Sequence, residues 1–212
     1  LNNITGTEIF AEAFGCSVQR DDDKMPFALP VVHSAEEAGR IKTPDFGSSS
    51  LAYLFEIADE LARRAGADAL MKLIDIQSPM DITSLIWEKA SLFAAFIESP
   101  DPVKELSGKV CDLLVAFMSE WFSRYGTDFI AHYPSYFMDG GITLSEDEIG
   151  TVSPEMFDTF FRDELNRLSA TFGGLGIHCC ANSRHQWEKF KELEGLGVLN
   201  LNANDSTAQD FT

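Results

Sequence analysis

The sequence predicts an α/β fold, a (β/α)8 TIM barrel of which these 212 residues supply part. Three observations carry that reading. Apolar segments of strand length alternate with helical stretches of ten or more residues, the spacing that joins parallel strands through right-handed crossovers. The strand segments are short and apolar, as buried parallel strands are. None is followed by the glycine-rich phosphate turn that opens a doubly wound sheet, which leaves the barrel. A complete barrel takes about 250 residues and eight strands. Only part of that is readable here, so the chain reads as one domain: 1–50 a helix and surface excursion, 51–205 repeated helix–strand units.

Within 7–14, Ile9, Phe10, Ala13 and Phe14 recur at helical spacing and stop at Gly15, a glycine C-cap. Residues 16–50 turn to Asp21, Pro26, Pro30, Pro44 and a Gly-Ser run, with one short helix starting at Ser34-Ala35-Glu36-Glu37. Leu51, Leu54, Ile57, Ala58 and Leu61 make 51–65 a helix ended by Gly66, and 69–76 a buried strand closed by Ser78-Pro79. Helices then follow over 82–96 and from Pro100 to about Tyr125, with Gly126 ahead of a strand at 128–133. Ser153-Pro154-Glu155 supplies an N-cap, a proline at the first helical position and a first-turn acid for a helix through about Phe172. Strands at 175–180 and 198–202 flank a helix at 187–193, and the polar tail reads as irregular.

Hydrophobic residues at 45% and charged residues at 24% belong to a folded globular chain. Sixteen Lys and Arg against 34 Asp and Glu give a net charge of −18, a field that repels nucleic acid and anionic membrane surfaces. The longest apolar runs fall far short of the roughly 20 residues that span a bilayer. Four cysteines at irregular spacing make no disulfide framework, so a cytoplasmic compartment is expected. The chain starts at Leu1 with neither a Met nor a signal segment, which reads as a trimmed piece of something longer. An open arc of strands leaves edges in water, so further polypeptide or a second copy in a homo-oligomer is expected to cover it.

The chemistry gathers at His178-Cys179-Cys180. The two-residue period of a strand places His178 and Cys180 on one face and Cys179 on the other. In a barrel the carboxyl ends of the strands carry the active site, and an imidazole with a thiolate suits zinc. The plainer alternative makes His178 a hydrogen-bonded core residue and Cys180 a small hydrophobe. Asp139 follows the 128–133 strand and is either an acid, base or ligand orienter at the mouth or a turn aspartate before Gly140. Gln77 and Asp81 surround the end of the first strand as substrate contacts, unless Asp81 caps the helix at Ile82. His185 is either a substrate contact or a solvated histidine. Glu146-Asp147-Glu148 reads as a solvated loop, and Phe93, Phe96, Phe117, Trp121 and Phe122 as core.

Several segments in order resemble the uroporphyrinogen decarboxylase superfamily: Gly6-Thr7-Glu8-Ile9-Phe10, Asp75-Ile76-Gln77-Ser78-Pro79-Met80-Asp81, Ser153-Pro154-Glu155-Met156-Phe157, Phe172-Gly173-Gly174, and Ile177-His178-Cys179-Cys180. The resemblance covers nearly the whole chain. It implies a TIM barrel and one of two activities: decarboxylation of a porphyrinogen in haem biosynthesis, or zinc-dependent methyl transfer between a corrinoid protein and a thiol. The arginine-rich motif of the decarboxylase is absent, and an acidic tetrapyrrole suits a chain of charge −18 poorly. The resemblance therefore implies the methyltransferase branch, with His178 and Cys180 as zinc ligands and a corrinoid as partner cofactor. Ala181 replaces the usual glycine, and no cysteine follows position 180 to match that branch's distant third ligand. A non-catalytic relative with a decayed site is the remaining alternative.

Overall fold

The computed structural model describes residues 5–21, 24–66, 71–127, 131–132, 136–138 and 140–202. The expected strand positions 69–70, 128–130 and 133, the residue Asp139 and the tail from 203 lie outside them.

Helix α1 (Ile9–Ala13) buries Ile9, Phe10 and Ala11 and ends before Gly15. The excursion after it is more ordered than its composition predicts, because β1 (Ser17–Gln19) and β2 (Phe27–Leu29) pair as an antiparallel hairpin. Helix α2 (Ala35–Arg40) starts at Ser34, whose hydroxyl accepts from the Glu37 N–H, and α3 (Ala52–Ala65) ends at Gly66. The helix expected over 82–96 is two, α4 (Pro79–Ile86) and α5 (Lys89–Glu98). Trp87 interrupts it in an extended conformation. Its side chain is fully buried, its backbone bridges to Val32, and Glu88 N–H donates to the Val32 carbonyl at 2.8 Å. Backbone bonds to Val32 thus take the place of a helical turn, and the Glu88 carboxylate then caps α5 through Ala90 and Ser91 N–H.

Helix α6 (Pro100–Tyr125) runs as the sequence predicts and ends at Gly126. Its apolar stripe is the centre of the core: Phe117 meets Phe10 edge-on at 5.3 Å and Phe55 at 5.2 Å, and Trp121 lies 5.8 Å from Phe55. Phe96 is buried here too, while Phe93 and Phe122 pack at its margin.

The segment expected as a parallel strand at 128–133 differs. Residues β3 (Ala131–His132) pair antiparallel with β4 (Tyr136–Phe137), and the parallel strand is β5 (Ile142–Ser145), fully buried. Gly141 lets it start: φ is +75°, and a Cβ there would stand 2.6 Å from the Gly174 carbonyl oxygen. The helix expected over 154–172 breaks at Phe161 into α7 (Pro154–Phe160) and α8 (Arg162–Phe172). Phe160 and Phe161 on either side of that break are both buried. Then come β6 (Leu175–Cys179), the short α9 (Trp187–Phe190) and β7 (Leu196–Leu201).

Strands β5, β6 and β7 are parallel neighbours in that order. The first expected strand joins them only at its end. Gln77 bridges in parallel to Ser145, with Ser145 N–H donating to the Ile76 carbonyl and Ser78 N–H to the Ser145 carbonyl, each at 2.8 Å. With the helices as crossovers, this is an arc of a (β/α)8 barrel.

Candidate functional site at the carboxyl ends of the strands

The strand register sets the site. His178 pairs with Ser145 of β5 on one side and Asn200 of β7 on the other, so the pleat puts these three side chains on one face. Ser145 Oγ donates to Asp75 Oδ1 at 2.9 Å. His178 Nδ1 lies 2.5 Å from Asn200 Oδ1. An amide oxygen only accepts, so Nδ1–H donates to it. The other ring nitrogen, Nε2, faces Cys180 Sγ at 3.1 Å.

Cys179 follows the expected alternation. It is buried on the opposite face with Sγ 3.5 Å from the Ala181 carbonyl, and burial pushes its thiol up to about 12. Cys180 is exposed, and its thiol is also raised, by desolvation first and then by Asp147, Asp75 and Asp81. The surrounding charge opposes a bare thiolate.

Gln77 and Asp81 are brought to this end of the sheet. Gln77 is 3% exposed, and its Oε1 is without a hydrogen-bond partner. Asp81 is not the helix cap; Ser78 is, accepting the Asp81 N–H at 3.0 Å. The Asp81 carboxylate instead reaches across to accept the Asp147 N–H at 3.0 and 2.9 Å and the Glu148 N–H at 2.9 Å. Asp147 Oδ1 in turn accepts the Cys180 N–H at 2.6 Å. The loop expected to be solvated is therefore structural on its inner side, with Glu146 only 1% exposed.

Burial raises both Asp81 and Glu146 out of the usual carboxylate range. Asp81 is bonded by backbone donors, which favour its ionised form. No protein donor satisfies the Glu146 oxygens. Burial and the neighbouring Asp81 charge therefore favour the protonated form of Glu146.

His185 is exposed and spends Nε2–H on the Val152 carbonyl at 2.9 Å, beside Gln186 Nε2 at 2.8 Å from the same oxygen. That bond ties the segment after β6 to the start of α7. Sequence reasoning missed Asn200, Asp147, Glu146 and Asp75. Asn200 had a signal, a lone polar residue within an apolar strand; the others show only once β5 is placed.

The donor pair suits zinc in type. A tetrahedral zinc holds a nitrogen and a sulfur about 3.6 Å apart, so a small opening of the pair accommodates it. Asn200 is the kind of outer partner that fixes a zinc-bound imidazole. Among the described residues, no group of three His, Cys, Asp or Glu side chains is placed to hold a metal.

A profile described as uroporphyrinogen decarboxylase (URO-D) matches residues 5–211. The chain belongs to the uroporphyrinogen decarboxylase family. No curated protein sequence matches it. Among solved structures it is similar to a methyltransferase from Methanosarcina mazei, at a TM-score of 0.76 and 14% identity over 97% of this chain. The match spans 58% of that methyltransferase, somewhat over half of its length. At that identity the likeness concerns the fold alone, and it agrees with the partial barrel. Among the described residues no helix is long and apolar enough to cross a membrane.

Proposed function

We propose that this URO-D family chain carries part of the active site of a zinc-dependent methyltransferase, one that moves a methyl group between a corrinoid and a small thiol. The observation that carries the reading is the His178 Nε2 to Cys180 Sγ contact at 3.1 Å, with Nδ1 held by Asn200. His178 and Cys180 hold the metal, and a donor outside the described residues completes its protein ligands. Zinc supplies Lewis acidity that lets an acceptor thiol react as its thiolate at neutral pH.

The protein's own part is orientation. Asn200 fixes the imidazole orientation, Asp147 fixes the Cys180 backbone, and Asp81 fixes the Asp147 loop. Desolvation first, and then the carboxylates of Asp147, Asp75 and Asp81, raise the Cys180 thiol, and those carboxylates favour a cation beside it. The same acidity is unfavourable for the polycarboxylate ring of a porphyrinogen, which makes decarboxylation the weaker reading.

The test is transfer from methylcobalamin to a small thiol by the intact protein. His178→Ala and Cys180→Ala are expected to lose activity by at least about a hundredfold, while Cys179→Ser retains it. Intact protein that transfers no methyl group but decarboxylates a porphyrinogen would reverse the assignment.

A further inference from the structure

The outer face of the β1–β2 hairpin is apolar along one of its strands. From Met25 to Val31 exposure follows the two-residue period of an extended chain. Met25, Phe27, Leu29 and Val31 are 75%, 43%, 44% and 37% exposed, while Ala28 between them and Val32 beyond them are buried. Four apolar side chains therefore share one surface over about 20 Å. On the paired strand Ser17 and Gln19, opposite Leu29 and Phe27, are exposed and polar. The stripe is fixed to the body of the fold, because Val31 and Val32 N–H donate to the Ile86 carbonyl at the end of α4, at 3.0 and 3.1 Å.

An exposed apolar patch on the order of a few hundred Å² marks an interaction site. It is well below the roughly 800 Å² that each partner buries in a stable interface, and two chains of charge −18 repel each other, so a second copy is a poor occupant. Residues 17–40 carry three cations, Arg20, Lys24 and Arg40, against five acids, Asp21, Asp22, Asp23, Glu36 and Glu37. Each cation is already paired with an acid, Arg20 with Glu12, Lys24 with Asp21 and Arg40 with Glu36. The flanks of the stripe thus stay acidic, and complementarity calls for a cationic partner. Pro26 and Pro30 have no N–H, which makes β2 a poor edge for adding a strand. A partner meets the side chains.

We propose that this stripe docks a short, extended, cationic segment of a second protein, with apolar side chains at alternate positions against Met25, Phe27, Leu29 and Val31 and with Lys or Arg at its ends against the acidic flanks. The inference goes beyond the methyl-transfer reading and needs no metal. The stripe is bonded to α4, the helix whose Asp81 holds the Asp147 N–H behind Cys180, so a partner seated here leans on the support of the candidate site. A contact this small gives weak, exchangeable binding.

The experiment titrates a labelled synthetic peptide, with leucine at alternate positions and lysine at both ends, with intact protein near physiological salt, followed by fluorescence anisotropy. Saturable binding is expected, and glutamate in place of the lysines or serine in place of the leucines is each expected to weaken it at least about tenfold. Phe27→Ser combined with Leu29→Ser is expected to weaken it at least about tenfold as well, while Ile97→Ser, at an isoleucine of α5 that is 83% exposed, leaves it unchanged. If the double variant fails to fold, the three peptides on the wild-type protein still decide. Absence of saturable binding, equal binding of the glutamate or serine peptide, or unchanged affinity in the double variant overturns the proposal. Wild-type self-association in velocity sedimentation that the double variant abolishes overturns it in favour of a second copy. No peptide binding together with a lowered denaturation midpoint in the double variant assigns the stripe to the protein's own core instead.

Discussion

Asn200 Oδ1 stands 2.5 Å from His178 Nδ1, across the β6–β7 register that places the two residues opposite each other. The bond fixes which imidazole nitrogen faces Asn200 and which faces Cys180, and it does so from a strand about twenty residues downstream. Removing an outer partner of this kind typically costs 10–100-fold in metal affinity. Asn200→Ala is therefore expected to weaken zinc binding by that range, measured by competition with a chromophoric chelator, while the circular dichroism spectrum stays unchanged. Unaltered affinity would show that Asn200 does not orient the imidazole.

The Asp81–Glu146 pair predicts a pH dependence of stability. Glu146 is raised above its ordinary 4.5, first by burial and then by the Asp81 charge. The folded state then keeps a proton that the unfolded chain releases above about pH 4.5. The stabilisation is complete below that pH and is lost as pH rises toward the folded value. One proton gives a slope of at most about 1.4 kcal/mol per pH unit. Denaturant midpoints are expected to fall between pH 5 and pH 8, and Glu146→Gln, which stays neutral, is expected to flatten that fall. A variant with the wild-type slope would place the proton elsewhere.

Gly141 predicts a backbone effect. Its φ of +75° and the 2.6 Å approach of a Cβ to the Gly174 carbonyl mean that any side chain meets immovable backbone. Gly141→Ala is expected to destabilise the protein by roughly 1–3 kcal/mol in chemical denaturation. Gly108→Ala, within α6 with nothing within 4 Å of its Cβ, is the control and is expected to be neutral or stabilising.

The outer edge of β7 is unpaired among the described residues. A parallel strand with a bare edge and half-buried Leu199 and Leu201 recruits a partner strand. The 212-residue polypeptide by itself is expected to sediment as an oligomer or aggregate. A well-folded monomer in velocity sedimentation would contradict this.

The helices were legible in the sequence because their signals are local. Ser34, Ser78 and Ser153 accept N–H groups at three helix starts, and Gly66, Gly126 and Gly173 end three helices. What was illegible depends on distant partners. Nothing local to Trp87 says that Val32 will bond the Ile86 carbonyl and the Glu88 N–H on either side of it. Ile142-Thr143-Leu144-Ser145 is a four-residue segment behind a Gly-Gly pair, too short to mark itself as the parallel strand, and its pairing with Leu175 to His178 identifies it. The alternation of His178, Cys179 and Cys180 was legible because strand geometry dictates it. Burial of Glu146 was not, since an acidic run reads as solvated unless Asp81 is known to face it.

Zinc content tests the central claim most directly. Intact protein purified without chelator and analysed by elemental mass spectrometry is expected to carry about one zinc per chain. His178→Ala and Cys180→Ala are expected to lose most of it, while Cys179→Ser, adjacent in sequence and opposite in space, keeps it. Metal-free wild-type protein, or equal loss in all three variants, would contradict the account.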